Sequence, residues 1–197
     1  MMRWVTVAGV AVPGLVLAAV GYLVHPGGLD PSTARAWWTV HVYLVPVFPL
    51  ISVAVWVLLR GVAGPVAWAA RVLAYGFGTF YTALDVLSGI GAGLAVDNGA
   101  DALVGRLFQV GDGLGAAGVW MLLGAAVLTG LALQRRDGPP VLLGAAVLAA
   151  ACLPFQQGHI FHPTGVCAML GVAAGCALMA AVRRPVRAGS TPEPARA

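Results

Sequence analysis

Four histidines and one aspartate are the residues of this chain best suited to bind a metal ion or to move protons. His25 and His162 each precede a proline, and His159 lies three residues before His162. Asp85 is the one acidic residue placed within an apolar segment. An ionisable group inside a bilayer is costly unless it is paired, protonated or hydrated. Asp85 is therefore a candidate functional residue.

Imidazole nitrogen together with carboxylate oxygen is a ligand set that suits zinc, copper or iron. The candidate ligands are His25, His41, Asp85, His159 and His162. Two facing histidines would equally serve as haem ligands, and histidines that titrate near neutrality would suit proton handling with Asp85. The chain has no HExxH motif and no CxxC pair, so a transition metal, a haem and a proton site all stay open.

Two segments that contain histidine have similar sequences. Residues Gly21 to Gly28 and Gly158 to Gly165 share an initial glycine, an aliphatic residue, a His-Pro pair and a final glycine. Proline disfavours helix in the residue before it, and glycine loosens the backbone. The pattern predicts two turns at helix ends, either as ordinary turns or as a pair that directs imidazoles towards a common point.

The neighbourhood of these residues is also polar or kinked. The residues at helical spacing from Asp85 are Tyr81, Thr82 and Ser88. Pro46 and Pro49 predict a kink in the segment that carries His41, because proline removes a helical hydrogen bond. Further polar side chains expected near the same membrane surface are Gln156, Gln157 and Cys167. Together these residues predict a vestibule on that surface.

The composition requires a bilayer as the solvent for these elements. Hydrophobic residues make up 60% of the 197 residues and charged residues 9%, whereas soluble domains carry roughly 25% charged residues. We predict an all-α, polytopic integral membrane protein, a six-helix transmembrane bundle. The six apolar segments are Trp4 to Val24, Trp37 to Leu59, Val66 to Val96, Leu114 to Leu133, Val141 to Phe155 and Val166 to Val182.

The distribution of arginine predicts the orientation. Nine arginines lie on the side that holds both termini: Arg3, Arg60, Arg71, Arg135, Arg136, Arg183, Arg184, Arg187 and Arg196. Only Arg35 and Arg106 lie on the other side. Since basic residues favour the cytoplasmic side, we predict a cell-membrane protein with both termini in the cytoplasm and all four histidines on the outer side.

Three finer predictions concern the boundaries. Residues 1–183 should form the transmembrane domain, and residues 184–197 a disordered cytoplasmic tail. The glycines at 89, 91 and 93 should mark a bend or an early end of the third helix. The connection from Asp97 to Gly113 should contain a short helix on the outer membrane surface.

Three classes of function fit this pattern. The first is a small multi-pass membrane protein whose histidine and aspartate site holds a metal or haem or handles protons, open to the outer face. The second is a transporter or channel-like protein with Asp85 lining the path, and the third is a structural or assembly subunit of a larger membrane complex.

The expected partners are the lipid bilayer and other membrane proteins or a second copy of the chain. Nucleic acid is not expected, because the charge of +4 forms no basic face. The absence of lysine excludes a Schiff-base cofactor, and whether the protein is an enzyme stays open.

Overall fold

The computed structural model describes residues 2–183, in which all regular secondary structure is helical. The α-helices are α1 (Met2–Leu23), α2 (Ala34–Leu44), α3 (Phe48–Leu58), α4 (Pro65–Leu84), α5 (Ala92–Asp97), α6 (Val104–Asp137), α7 (Val141–Gly158) and α8 (Thr164–Val182). A π-helical segment, Asp85–Gly91, joins α4 to α5, and a 3-10 turn, Asp101–Leu103, precedes α6. The predicted tail at residues 184–197 lies outside the described residues.

Six helices among the described residues are long and apolar enough to cross a membrane. They are Arg3–Leu23, Ala34–Leu58, Pro65–Asp97, Asp101–Asp137, Val141–Gly158 and Thr164–Val182. The predicted all-helical architecture with six membrane-length helices is therefore confirmed. The connections at residues 24–33, 98–100 and 159–163 share one end of the bundle, here called the histidine end, since His25 lies against His159 and Trp38 of α2 donates to Asp97.

The kink predicted in the second membrane-length helix corresponds to an interruption between α2 and α3. Residues Val45 to Val47 form a turn between α2 and α3, with Pro46 inside it and Pro49 in the first turn of α3. Proline lacks the amide hydrogen that would continue the helical ladder and clashes with the preceding turn. The turn therefore interrupts the regular helix between α2 and α3.

The third membrane-length helix does not end at its glycines. The chain passes from α4 through the π-helical segment into α5 and stays helical to Asp97. The prediction of an early helix end was therefore wrong, and the local distortion is a π-helical segment. A Cβ at Gly89 would collide with the ring of His41, and one at Gly93 would lie 2.7 Å from Trp38 Cβ. Glycine at these positions therefore allows α2 to approach the π-helical segment closely.

The prediction of a short surface helix between Asp97 and Gly113 is also wrong. After the 3-10 turn the chain enters α6, which continues without interruption to Asp137. Phe108, an apolar residue of this segment, packs against Trp37 with ring centroids 6.3 Å apart. At 34 residues α6 is roughly 51 Å long, which exceeds the roughly 30 Å thickness of the hydrocarbon core. Residues 104–113 are thus an extension of the fourth membrane-length helix.

Small residues bring the last two helices together, as their density predicts. Gly144 of α7 and Gly175 of α8 face each other, and a Cβ on Gly144 would lie 2.8 Å from the Gly175 carbonyl oxygen. Gly14 of α1 similarly lies against the backbone of α8 at Met169 and Ala173. In lipid such contacts hold helices by van der Waals packing, because hydrophobic exclusion of water is absent.

At the opposite end of the bundle, Arg3 and Arg183 bond to backbone carbonyls at the ends of neighbouring helices. Arg183 donates a hydrogen bond of 3.0 Å to the Arg60 carbonyl, and its Nε lies 3.4 Å from the buried carboxylate of Asp137. Arg3 donates to the Ala181 carbonyl. These contacts tie the ends of four membrane-length helices together, a role of Asp137 that the sequence pattern did not suggest.

Accessibility of single cysteines tests the orientation derived from arginine. We expect Asn98→Cys, at the histidine end, to react with a membrane-impermeant maleimide in intact cells, and Ala63→Cys, at the opposite end, to react only after lysis. Exposed Cys167 is first replaced by alanine in both variants. The reverse pattern of labelling would show that the histidines face the cytoplasm.

Candidate functional site

Three histidines from three separate parts of the chain meet at the histidine end. His25 follows α1, His41 lies in the last turn of α2, and His159 follows α7. One ring nitrogen from each lies within 4.8 Å of those of the other two. His25 Nε2 and His41 Nε2 are 3.4 Å apart. We call His25, His41 and His159 the histidine triad.

Backbone carbonyls orient two members of the histidine triad. His41 Nδ1 lies 2.7 Å from the Trp37 carbonyl oxygen, and His25 Nδ1 lies 2.8 Å from that of Pro26. A carbonyl oxygen only accepts hydrogen bonds, so each Nδ1 carries the proton and donates it. Each Nε2 of these neutral rings therefore carries an unprotonated lone pair, and the two Nε2 atoms face each other.

His159 reaches the centre of the histidine triad through an uncommon backbone conformation. It follows the last residue of α7 with a φ of 45°, a left-handed conformation that glycine adopts freely and that costs other residues about 1–3 kcal/mol. Its Nδ1 lies 2.6 Å from the hydroxyl of buried Tyr81. Its Nε2 is buried without a hydrogen-bond partner among the described residues.

Burial affects the protonation of the two histidines that lie in the connections. It lowers the pKa of His25 below its ordinary value, although the hydrogen bond to Pro26 opposes this effect. Burial also lowers the pKa of His159, and the neighbouring imidazoles of His41 and His25 lower it further. An ordinary histidine pKa is about 6.5, so both rings are neutral at pH 7 and offer lone pairs.

Asp85 lies beside the histidine triad at the start of the π-helical segment. Its Oδ1 is 3.9 Å from His41 Nε2, and its side chain is fully buried. Neither carboxyl oxygen has a hydrogen-bond partner among the described residues. A buried carboxyl group without partners is costly, so a cation in the histidine triad would provide the charge compensation that Asp85 otherwise lacks.

His162 lies outside the histidine triad, although it was among the predicted ligands. It is exposed, and its ring packs against Tyr22 with centroids 5.2 Å apart. The two similar turns contact each other crosswise, because Tyr22 aligns with His159 and His25 aligns with His162. The pair that converges is thus His25 with His159, whose ring centroids are 5.8 Å apart.

Aromatic side chains surround the histidine triad. Phe161 packs edge-on against His25 with ring centroids 4.7 Å apart, and Phe48 lies 5.6 Å from His159. Trp37 packs 5.2 Å from His41, and its indole N–H donates to the Ser88 carbonyl. Trp37 was not among the predicted site residues, although its position four residues before His41 places both on one helix face.

A cavity of about 330 Å³ lies beside His159. Tyr81, Asp112, Gln156, Gln157 and His159 form its polar wall. The vestibule expected from Gln156 and Gln157 therefore has a counterpart, with Asp112 as an added acidic residue.

The other polar residues singled out in the sequence lie outside the cavity. Cys167 is exposed and does not line it. Thr82 donates to the Gly78 carbonyl within α4, and Ser88 lies 3.4 Å from Asp112. Of the three polar neighbours expected for Asp85, only Tyr81 contacts the histidine triad.

Comparisons of the chain with protein-family models, with curated proteins and with solved structures find no match. The features on which a function can be argued are those of the chain itself: six membrane-length helices and a cluster of histidines at one end.

Proposed function

We propose that this membrane protein binds a transition-metal ion through His25, His41 and His159, with Asp85 supplying negative charge beside the ion. The observation that carries the proposal is the pair of Nε2 lone pairs 3.4 Å apart. Ligands at a metal–nitrogen distance of about 2.0–2.1 Å in tetrahedral geometry are separated by about 3.3–3.4 Å. Without a proton or a cation between them, two lone pairs at this distance repel each other.

The second support is the way the rings are held. Histidines that bind metals generally donate their other ring N–H to a carbonyl, a carboxylate or a water, which fixes the tautomer and the ring orientation. His25 and His41 use Pro26 and Trp37 in this way. Binding at His159 Nε2 would require its Nδ1 to donate to the Tyr81 oxygen, and their separation of 2.6 Å allows this bond.

Haem and proton handling receive less support from the same geometry. A haem between two imidazoles needs both rings set back from a flat macrocycle, whereas the His25 and His41 ring centroids are 5.0 Å apart. A shared proton would satisfy His25 and His41 and leave the buried His159 Nε2 without a partner. A metal ion engages all three rings.

The ligand types favour a divalent ion such as Zn²⁺ or Cu²⁺. Imidazole suits both ions, whereas thiolate and thioether ligands select Cu(I). Cys152 and Cys176 are buried within α7 and α8, away from the histidine end, and Cys167 is exposed. Three imidazoles with one further position resemble the ligand count of catalytic zinc sites, and the neighbouring cavity would give water or a small molecule access.

Binding is better supported than conduction through the bundle. On the side of the histidine triad that faces the bundle centre, Phe48, Phe77, Tyr81 and Phe155 are fully or almost fully buried. Their rings contact one another, with Tyr81 and Phe155 centroids 4.6 Å apart. This aromatic packing among residues 2–183 supports a site loaded from the histidine end over a route for a transported ion through the bundle.

Metal content of histidine variants tests the proposal. We expect the purified full chain to bind about one Zn²⁺ after incubation and desalting, measured by elemental analysis. His25→Gln, His41→Gln and His159→Asn should each weaken binding by at least about tenfold, because each removes one ligand. Asparagine is chosen at position 159 because it tolerates positive φ.

His162→Gln is the matched control, because it changes the one histidine outside the histidine triad. We expect this variant to bind zinc like the unaltered protein. Equal loss of zinc in all four variants, or an unaltered chain that takes up neither zinc nor copper, would refute the site.

A substitution at Gly89 tests how His41 is positioned. Gly89→Ala places a methyl group where the His41 ring lies, so we expect zinc affinity to fall about tenfold or more while the protein remains folded. Gly91→Ala is the control in the same π-helical segment, since its Cβ would lie 3.3 Å from the Val86 carbonyl oxygen and touch no histidine. Equal zinc affinities of the two variants would contradict the role assigned to Gly89.

A further inference from the structure

A second cavity, lined by no residue of the histidine triad, lies between α3 and α4. It is a groove of about 890 Å³, and its wall is mostly apolar and aromatic. Val53, Trp56, Val57, Tyr75 and Thr79 line it. Trp56 is 44% exposed and Tyr75 is 68% exposed, so the groove opens on the outside of the bundle.

Short side chains create the groove. Gly78 of α4 and Ser52 of α3 also line it, and both are buried. The Ser52 hydroxyl donates a hydrogen bond of 2.5 Å to the Ala74 carbonyl, which satisfies the polar group in an apolar setting. The floor of the groove is therefore compact and without free polar atoms, while Trp56 and Tyr75 stand on either side of it.

The length of the groove matches one leaflet of a bilayer. It extends along the chain from Pro49 to Arg60, and at the helical rise this stretch is about 16 Å long. The hydrocarbon core is about 30 Å thick, so a single leaflet contributes about 15 Å. An extended acyl chain that enters from one membrane surface would lie along the whole groove.

Positive charge is concentrated at one end of the groove. Arg60 is exposed, and its guanidinium makes no hydrogen bond or ion pair with the residues described. Arg71 also lines this end, where it donates to the Leu59 and Val62 carbonyls at 2.7 and 2.9 Å. The Arg60 guanidinium is thus available to an anion at the membrane surface, beside the fixed charge of Arg71.

We propose that this groove binds one acyl chain of an anionic phospholipid, whose phosphate contacts Arg60. Charge complementarity and the one-leaflet length favour this occupant over a zwitterionic lipid or a helix of a partner protein. Arginine near a membrane surface attracts anionic lipid with an energy that corresponds to about a fivefold preference per charge. The site does not depend on metal binding, since none of the residues that line the groove belongs to the histidine triad.

Native mass spectrometry of the purified full chain in detergent tests this proposal. The protein is titrated with phosphatidylglycerol and with phosphatidylcholine of identical acyl chains. We expect about fivefold tighter binding of phosphatidylglycerol. Arg60→Gln should remove this preference, whereas Arg106→Gln, an exposed arginine at the histidine end, should preserve it.

A second variant tests the acyl-chain part of the proposal. Thr79→Trp places a large side chain in the groove from an exposed position, so it leaves the helix core unchanged and should reduce retention of both lipids. Equal binding of the two lipids by the unaltered protein would overturn the proposal. So would equal effects of the two arginine variants, or full lipid retention by the tryptophan variant.

Discussion

The candidate site depends on two hydrogen bonds to backbone carbonyls, those of Trp37 and Pro26. Each carbonyl accepts a hydrogen bond from the Nδ1–H of a histidine and so determines which ring nitrogen keeps its lone pair. The two free nitrogens then face each other at 3.4 Å. In a water-filled site this repulsion would be relieved by solvent, but His41 is 2% exposed. The proposed cation would satisfy this arrangement together with the adjacent Asp85.

The fold supplies this geometry through departures from regular helix. The turn at Val45 to Val47 separates α2 from α3, and the π-helical segment presents Gly89 to the His41 ring. Such segments often occur at functional sites. The positive φ of His159 turns its side chain towards Tyr81 and the other imidazoles. Each of these features is costly in isolation, and all of them occur around the same cluster.

The sequence predicted the regular elements better than their irregularities. Apolar length alone is sufficient to identify six membrane-length helices, and Pro46 and Pro49 are sufficient to place the break between α2 and α3. The glycines near position 89 indicated a distortion, but the close approach of Gly89 to the His41 ring is a long-range contact that sequence spacing does not reveal. Likewise, the segment before Gly113 was predicted to lie on the membrane surface. Its contact with Trp37, made by Phe108, joins distant parts of the chain and could not be read from sequence spacing.

The site was predictable in outline only. The histidines were expected to share one end of the bundle, yet the similarity of the two turns paired His25 with His162. The turns in fact meet crosswise, so His25 approaches His159 and His162 approaches Tyr22. Tyr81 was expected near Asp85 from helical spacing, whereas its bond to His159 joins residues 78 positions apart. Contacts over such distances arise from helix packing, on which periodicity carries no information.

X-ray absorption spectroscopy of the zinc-loaded protein tests the central claim most directly. The account predicts about three imidazole nitrogens at roughly 2.0–2.1 Å, with the multiple-scattering pattern of histidine rings. It also predicts that the imidazole contribution decreases in His41→Gln. A zinc shell composed of water oxygens, or one containing sulfur from a cysteine, would contradict the assignment of the histidine triad as the metal site.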